Sequence, residues 1–299
     1  MLQKWVSCHK ALVTYTTFAI ITSLVTFTFY TTIFPLLWPT ASYALKGQSI
    51  PWESTQEFRQ AVSKADTPIR MAFYKATLKE PLPGELFNIS HAANLLAGTV
   101  VKQDETFSQN QTLGPYTQGK GYQKGPTYSG DRIITTTGGG VCKIASLLYN
   151  IATLSNLQIV ERHNHSLTVP YVPPGQDATV SYGCYDIKFK NTTNGPVLIW
   201  AKTYGKTLWM AIYGRQLPPI VTWHHETLKE TKATTLRRVN PQLPPGTEKE
   251  LAPGQDGILV RTWLTIKYPD GKVETKDLGK DHYSPSPRII ERGPAVNTN

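Results

Sequence analysis

The sequence predicts an α+β fold with a largely antiparallel sheet, a small all-β module at the C-terminal end and an N-terminal transmembrane helix. Three observations carry this. Helical apolar patterns around residues 89–98 and 142–156 are followed by a succession of short strand-like runs punctuated by Pro and Gly turns. Residues 258–268 and 272–276 alternate around the turn Pro269-Asp270-Gly271, as a hairpin does. Residues 11–45 carry no charged side chain.

Taken in order, residues 11–38 are rich in Phe, Ile, Leu, Val and Thr. The run is long enough to cross a hydrocarbon layer of about 30 Å. Lys4 and Lys10 precede it, so the short N-terminus stays in the cytoplasm and the rest lies outside the cell membrane. Cleavage as a signal peptide near Ala44, after Ser42 and Tyr43, is the alternative and would give a secreted protein. Residues 1–45 thus form the tip and anchor. Residues 46–70 are polar and read as a stalk with one short helix over 56–64. The main domain is expected over 71–215, a linker over 216–225 and the β module over 226–299.

Within the main domain, Ile89, Ala92, Ala93, Leu95 and Leu96 outline a helix with Asn88 or Ser90 as its cap and Gly98 at its end. Glycine punctuation over residues 99–134 predicts loops and short strands that line a cleft. A helix beginning at Cys142 is stopped by Asn156, and strands are expected at 158–161, 166–171, 178–182, 186–190, 197–203 and 208–213.

A chain of 299 residues with 40% hydrophobic and 17% charged residues builds a packed core. Its net charge of +10 is scattered rather than gathered in a stripe, which favours an anionic surface such as a wall or lipid over nucleic acid. No cofactor is called for. His163, His165, His224, His225 and Cys142 include metal-ligand types. Their spacing completes no tetrahedral set, so no metal site is assigned.

The run Gly138-Gly139-Gly140-Val141-Cys142-Lys143 puts a thiol at a helix N-terminus, where unpaired N–H groups and the helix dipole favour thiolate. A disulfide with Cys184 is the competing reading of Cys142. A nucleophilic thiol needs a base, and His163 and His165 share one side of an extended segment. Asp177 is a candidate orienter of the imidazole, or equally a cap for the turn after Gly175. Gly138, Gly139, Gly140 and the Cys142 amide are candidates for contacts to substrate and to a developing oxyanion. Acyl transfer is the reaction these parts suit.

The stretch from about residue 87 to 214 resembles the VanW domain, a family named for an accessory protein of vancomycin-resistance clusters. The residues that carry the resemblance are Asn94-Leu95-Leu96-Ala97-Gly98, Glu105-Thr106-Phe107-Ser108-Gln109-Asn110, Gly121-Tyr122, the glycine-cysteine run, Leu148-Tyr149-Asn150, Glu161-Arg162-His163-Asn164-His165-Ser166 and Tyr171-Val172-Pro173-Pro174-Gly175-Gln176-Asp177. Residues 226–293 resemble the G-five domain, a wall-associated β module thought to contact N-acetylglucosamine. That likeness rests on Pro245-Gly246-Thr247, the turn at 268–272 and Ile289-Ile290-Glu291-Arg292-Gly293.

The resemblance implies a surface protein of a Gram-positive bacterium that works on peptidoglycan. Some members of the VanW family act as L,D-transpeptidases, with the cysteine of the glycine-rich motif as nucleophile. On this chain the nucleophile is then Cys142 and the base His165, with His163 as substitute. Asn110 and Lys143 join the substrate contacts. Lys143 stands where glutamine commonly follows the cysteine, and Tyr116 where arginine is frequent. A cysteine acyltransferase acting on stem peptides is therefore the leading expectation, with thioester hydrolysis as a variant. The alternative is a non-catalytic protein that binds peptidoglycan stems or glycan, or assists envelope assembly.

Overall fold

The computed structural model describes residues 49–129 and 132–295. The segment expected to span the membrane lies outside them. Among the described residues no helix is long and apolar enough to cross a bilayer. The chain enters with a 3-10 turn at Pro51–Ser54 and continues through α1 (Gln56–Ala65), β1 (Ile69–Thr77), α2 (Glu85–Leu96), β2 (Thr99–Val101), β3 (Thr106–Ser108) and α3 (Gln109–Leu113). A hairpin of β4 (Lys124–Ser129) and β5 (Arg132–Thr137) leads into α4 (Cys142–Leu154). Then come β6 (Gln158–Glu161), β7 (Lys188–Lys190), β8 (Val197–Tyr204) and β9 (Thr207–Gly214).

The central sheet is antiparallel, in the order β1-β9-β8-β2, and it is buried on both faces. Alternate residues separate cleanly. Ala72, Tyr74 and Ala76 of β1, Val197, Ile199 and Ala201 of β8, and Leu208, Met210 and Ile212 of β9 face one core with α2 and α4. Phe73, Leu198, Trp200, Ala211 and Tyr213 face a second core with Ile50, Trp52 and Phe58. This is the period-two geometry of a strand, here with apolar side chains on both sides, so no polar residues alternate to advertise the faces.

The second core corrects the reading of residues 46–70 as a stalk. From residue 50 on, this segment covers the outer face of the sheet. Trp52 Nε1 donates to Tyr213 Oη at 2.9 Å, and Tyr213 Oη donates to Glu53, which also pairs with Arg70. Phe58 packs edge-on against Trp200. Burying such a side chain stabilises the fold by about 1.5–3 kcal/mol. The helix expected over 56–64 is present as α1, with the Thr55 hydroxyl accepting from the Phe58 amide.

α2 starts earlier than expected, at a Gly84 N-cap. Asn88 is inside it and reaches out to the Gln123 and Gly139 carbonyls. The expected strands at 158–161, 186–190, 197–203 and 208–213 are present as β6 to β9, with β7 shortened to three residues. Those expected at 166–171 and 178–182 are not strands. Their backbones bond to side chains and to other segments instead of to a ladder. The cysteine helix is present, and it ends at Leu154, with Asn156 in the left-handed region at φ 53°.

The C-terminal region holds β10 (Ile220–Thr231), β11 (Thr235–Val239), β12 (Glu248–Gln255), β13 (Gly257–Lys267), β14 (Val273–Tyr283) and β15 (Ser286–Arg292). They form two three-stranded sheets, β10-β13-β14 and β11-β15-β12. β11 and β15 run parallel, and the other pairs are antiparallel. The hairpin around Asp270 is formed as expected, with Gly271 at φ 89° and Asp270 Oδ1 accepting from the Lys272 amide. The expected linker at 216–225 is instead largely the start of β10. Val221 and Trp223, with Leu264 and Ile266 of β13, belong to the same core as α4.

Candidate active site at the start of α4

α4 is the most enclosed helix of the described fold, with Ile144 to Leu154 all buried. The turn that delivers the chain to it is held by close backbone approach. A Cβ on Gly139 would stand 2.2 Å from the Gly125 carbonyl, and Gly140 adopts φ 103°. Both positions require glycine on conformational and packing grounds.

The polar side chains of α4 align the site. Cys142, Ser146 and Asn150 are spaced four apart and share one face. Asn150 Nδ2 donates to the Gln176 carbonyl at 2.8 Å. Ser146 Oγ accepts from the Ala178 amide at 2.9 Å. The Val180 amide donates to Cys142 Sγ at 3.5 Å, with the Thr179 hydroxyl at the same distance. Residues 176–180 therefore run antiparallel along the helix, and this sets Asp177 between the levels of Asn150 and Ser146. The Thr179 amide, donating to the His163 carbonyl at 2.8 Å, then ties in the segment that carries His165.

His165 is 6% exposed and Asp177 fully buried. His165 Nδ1 lies 2.7 Å from Asp177 Oδ2, and the His165 amide donates to the same oxygen at 2.7 Å. Asp177 Oδ1 accepts from Arg162 Nη2 at 3.0 Å and from the Tyr283 hydroxyl. A buried carboxylate with both oxygens so satisfied stays charged. Burial raises its pKa, but the His165 hydrogen bond and the Arg162 charge outweigh burial and hold it below the ordinary range.

With Nδ1 on Asp177, proton exchange with Cys142 falls to Nε2, and the thiol and the imidazole each shift the other's titration. Burial pushes the thiol up. The hydrogen bond and positive charge of His165, then Thr179 and Val180, bring it down to about 7. Burial pushes His165 down, yet Asp177 and the thiolate raise it to about 9. The two groups titrate as a pair, and between these values the pair is thiolate and imidazolium. Beside it, the Lys143 and Ile144 amides bond to the Gly140 and Val141 carbonyls. The donor next to the thiol is the Cys142 amide, which has no acceptor inside its own helix. These parts can attack a carbonyl, protonate a leaving amine and stabilise an oxyanion.

The remaining predicted residues have other places. The disulfide is absent, because Cys142 and Cys184 are both free and Cys184 is exposed. His163 is turned to Glu161 at 3.2 Å and to the Tyr185 ring, so the two histidines do not act on one side of an extended strand. Lys143, expected among the substrate contacts, pairs with Glu85 and lies over the Tyr171 ring. Asn110 holds the Tyr185 carbonyl and accepts from Tyr116. Burial raises Tyr116 far above its usual range, so this phenol stays neutral where the family frequently has arginine. His224 and His225 stack on Trp263 and Trp223. Among the described residues no cluster of three His, Cys, Asp or Glu side chains is placed to hold a metal.

Residues 84–213 match the family model described as VanW like protein, and residues 224–295 match that of the G5 domain. The chain carries a VanW-like domain followed by a C-terminal G5 domain. It is 44% identical over 126 residues to "Uncharacterized protein YoaR" of Bacillus subtilis (strain 168), a match covering 42% of each chain. Over 121 residues it is 31% identical to "Vancomycin B-type resistance protein VanW" of Enterococcus faecalis (strain ATCC 700802 / V583), covering 39% of this chain and 44% of that one. The matches thus span less than half the length of these relatives. Among solved structures, the IgA1 protease G5 domain is 24% identical and covers 28% of this chain and 100% of its own, with a TM-score of 0.18.

Three residues around the VanW-like site had no role assigned from the sequence: Ser146, Asn150 and Arg162. The first two had a visible signal, as polar residues at four and eight positions after the cysteine on an otherwise apolar helix. Arg162 lies in the 161–166 stretch that carries the resemblance, but a single arginine before a histidine reads as a surface charge. Tyr283, from the G5 domain, was equally silent.

Proposed function

We propose that this chain is a cell-envelope cysteine acyltransferase that acts on peptidoglycan stem peptides, in the manner of an L,D-transpeptidase. The observation that carries the reading is the aligned array of Cys142, His165 and Asp177. Cys142 Sγ attacks the carbonyl between the diamino acid at position three and the terminal D-alanine. The C–N bond breaks, His165 passes a proton to the departing amine, and a thioester forms. A side-chain amine of a second stem attacks the thioester, gives its proton to His165 and restores the thiolate as a 3-3 cross-link forms. Water in place of that amine gives hydrolysis.

Wall association is supported by the G5 match, since the resemblance implies a module that contacts glycan. The uncharged segment at 11–38 supports anchoring in the cell membrane with the folded domains outside. Incubating the reduced full chain with disaccharide-tetrapeptide muropeptides tests the reading. Mass spectrometry is expected to show a cross-linked dimer, or a shortened stem, with loss of D-alanine. Neither appears with folded Cys142→Ala. If wild type binds muropeptides and yields no product, the chain is a wall-binding protein.

A further inference from the structure

The G5 domain touches the array directly. Tyr283, the last residue of β14, is 1% exposed and reaches across the seam. Its hydroxyl accepts from the Gly175 amide at 2.7 Å and donates to Asp177 Oδ1, so one oxygen bridges the turn that carries the carboxylate and the carboxylate itself. Burial and the nearby carboxylates of Asp177 and Asp281 raise the phenol far above its ordinary range, and it remains a donor.

The same end of the G5 domain holds the other supports. Arg162 donates through Nη2 to Asp177 Oδ1 and through Nη1 to Asp281 of β14 at 2.6 Å, while its Nε holds the Asp177 carbonyl at 2.7 Å. The Ser284 amide donates to the Ser166 carbonyl at 2.7 Å, one residue beyond His165. Gly175 itself lies against β13, where a Cβ would stand 2.1 Å from Thr262 Oγ1.

We propose that Tyr283 is a positioning residue of the thiol site, so that the VanW-like and G5 domains together build one acyl-transfer centre. This rests on the acyltransferase reading. Without the bridging hydroxyl, the Gly175 amide and one carboxylate oxygen each lose a partner inside the protein. The carboxylate then swings toward Arg162, His165 loses its fixed orientation, and the thiolate loses its counter-charge. In this account the G5 domain is part of the site, and its contact with the wall would act on the same turn that orients the imidazole.

The test is the pH profile of Cys142 alkylation by iodoacetamide in the full chain, read by peptide mass spectrometry so that Cys8 and Cys184 are distinguished. Wild type is expected to show a midpoint near 7. Tyr283→Phe keeps the ring in its slot, and its midpoint is expected to rise by about one pH unit, slowing alkylation at pH 6 about tenfold. Turnover of muropeptides falls in kcat with KM unchanged. An unshifted midpoint in Tyr283→Phe beside a low one in wild type overturns the inference and leaves the acyltransferase reading standing. An ordinary thiol midpoint in wild type sinks that reading, and the inference with it. If Tyr283→Phe does not fold, Asp281→Asn decides in the same way: a smaller upward shift supports the seam as the support of the site, and no shift overturns it.

Discussion

The two sheets of the G5 domain are built from the same kinds of strands, yet one is joined to the thiol site and the other is not. In β10-β13-β14 the inward residues Trp223, Val260, Leu264 and Ile266 are buried, and Trp223 packs edge-on against Tyr149 of α4. In β11-β15-β12 every residue of β11 is exposed, and Ile290 is its one fully buried large side chain among the described residues. Its ion pairs, such as Arg288 with Glu250, lie at the surface. Domain boundaries drawn by family therefore do not coincide with the physical unit. The seam sheet completes the main core and the site, whereas the distal sheet meets the main domain at its edge, where Gln255 of β12 donates to the Thr168 carbonyl at 3.0 Å.

The largest expected effect comes from Asp177→Asn, on the VanW-like side of the seam. It places an amide among four donors and removes the charge that raises His165. Acyl transfer should fall by at least about a hundredfold, and the alkylation midpoint of Cys142 should return toward the ordinary thiol value. A midpoint that stays near 7 would mean that His165 works without its carboxylate.

Paired truncations sharpen the contrast between the sheets. Trp223→Ala and Ile290→Ala should each destabilise by about 2–5 kcal/mol in denaturant melts. Only Trp223→Ala should also raise the alkylation midpoint, because only the seam sheet braces α4 and the turn at Gly175. Equal shifts from both would erase the distinction. The smallest effect is expected from Arg288→Ala in the distal sheet. An exposed pair contributes about 1 kcal/mol or less, and thiol reactivity and turnover should match wild type.

The pH dependence follows from the same residues. With the thiol lowered to about 7, roughly half of Cys142 is thiolate at pH 7, against a few per cent for an ordinary cysteine. Transfer should rise as pH passes 7 and fall as His165, raised to about 9, gives up the proton the leaving amine needs. A rate that climbs steadily past pH 10 would argue against His165 as the acid.

Much of the site was legible because its signals are local. A glycine run before an apolar helix placed Cys142, and the family pattern selected His165. Asp177 was named but left between orienting the imidazole and capping a turn. The packing of Ser146 and Asn150 against residues 176–178 resolves it, since it aims the carboxylate at His165. β1 left no alternating pattern because both its faces are buried. Residues 166–171 and 178–182 have strand-like composition, but α4 side chains and the G5 domain take the bonds a ladder would have used. Tyr283 was illegible for a simpler reason: 106 residues separate it from Asp177, and nothing in a hairpin end announces a contact made across a seam.

The proposed acyl carrier is Cys142, and intact-protein mass spectrometry after acid quench of the full chain with a tetrapeptide muropeptide is the experiment that decides it. The expected result is an added mass equal to the muropeptide less D-alanine, located on the peptide containing Cys142 and released by hydroxylamine. An unmodified protein that nonetheless binds the muropeptide, or an adduct retained in Cys142→Ala, would contradict it.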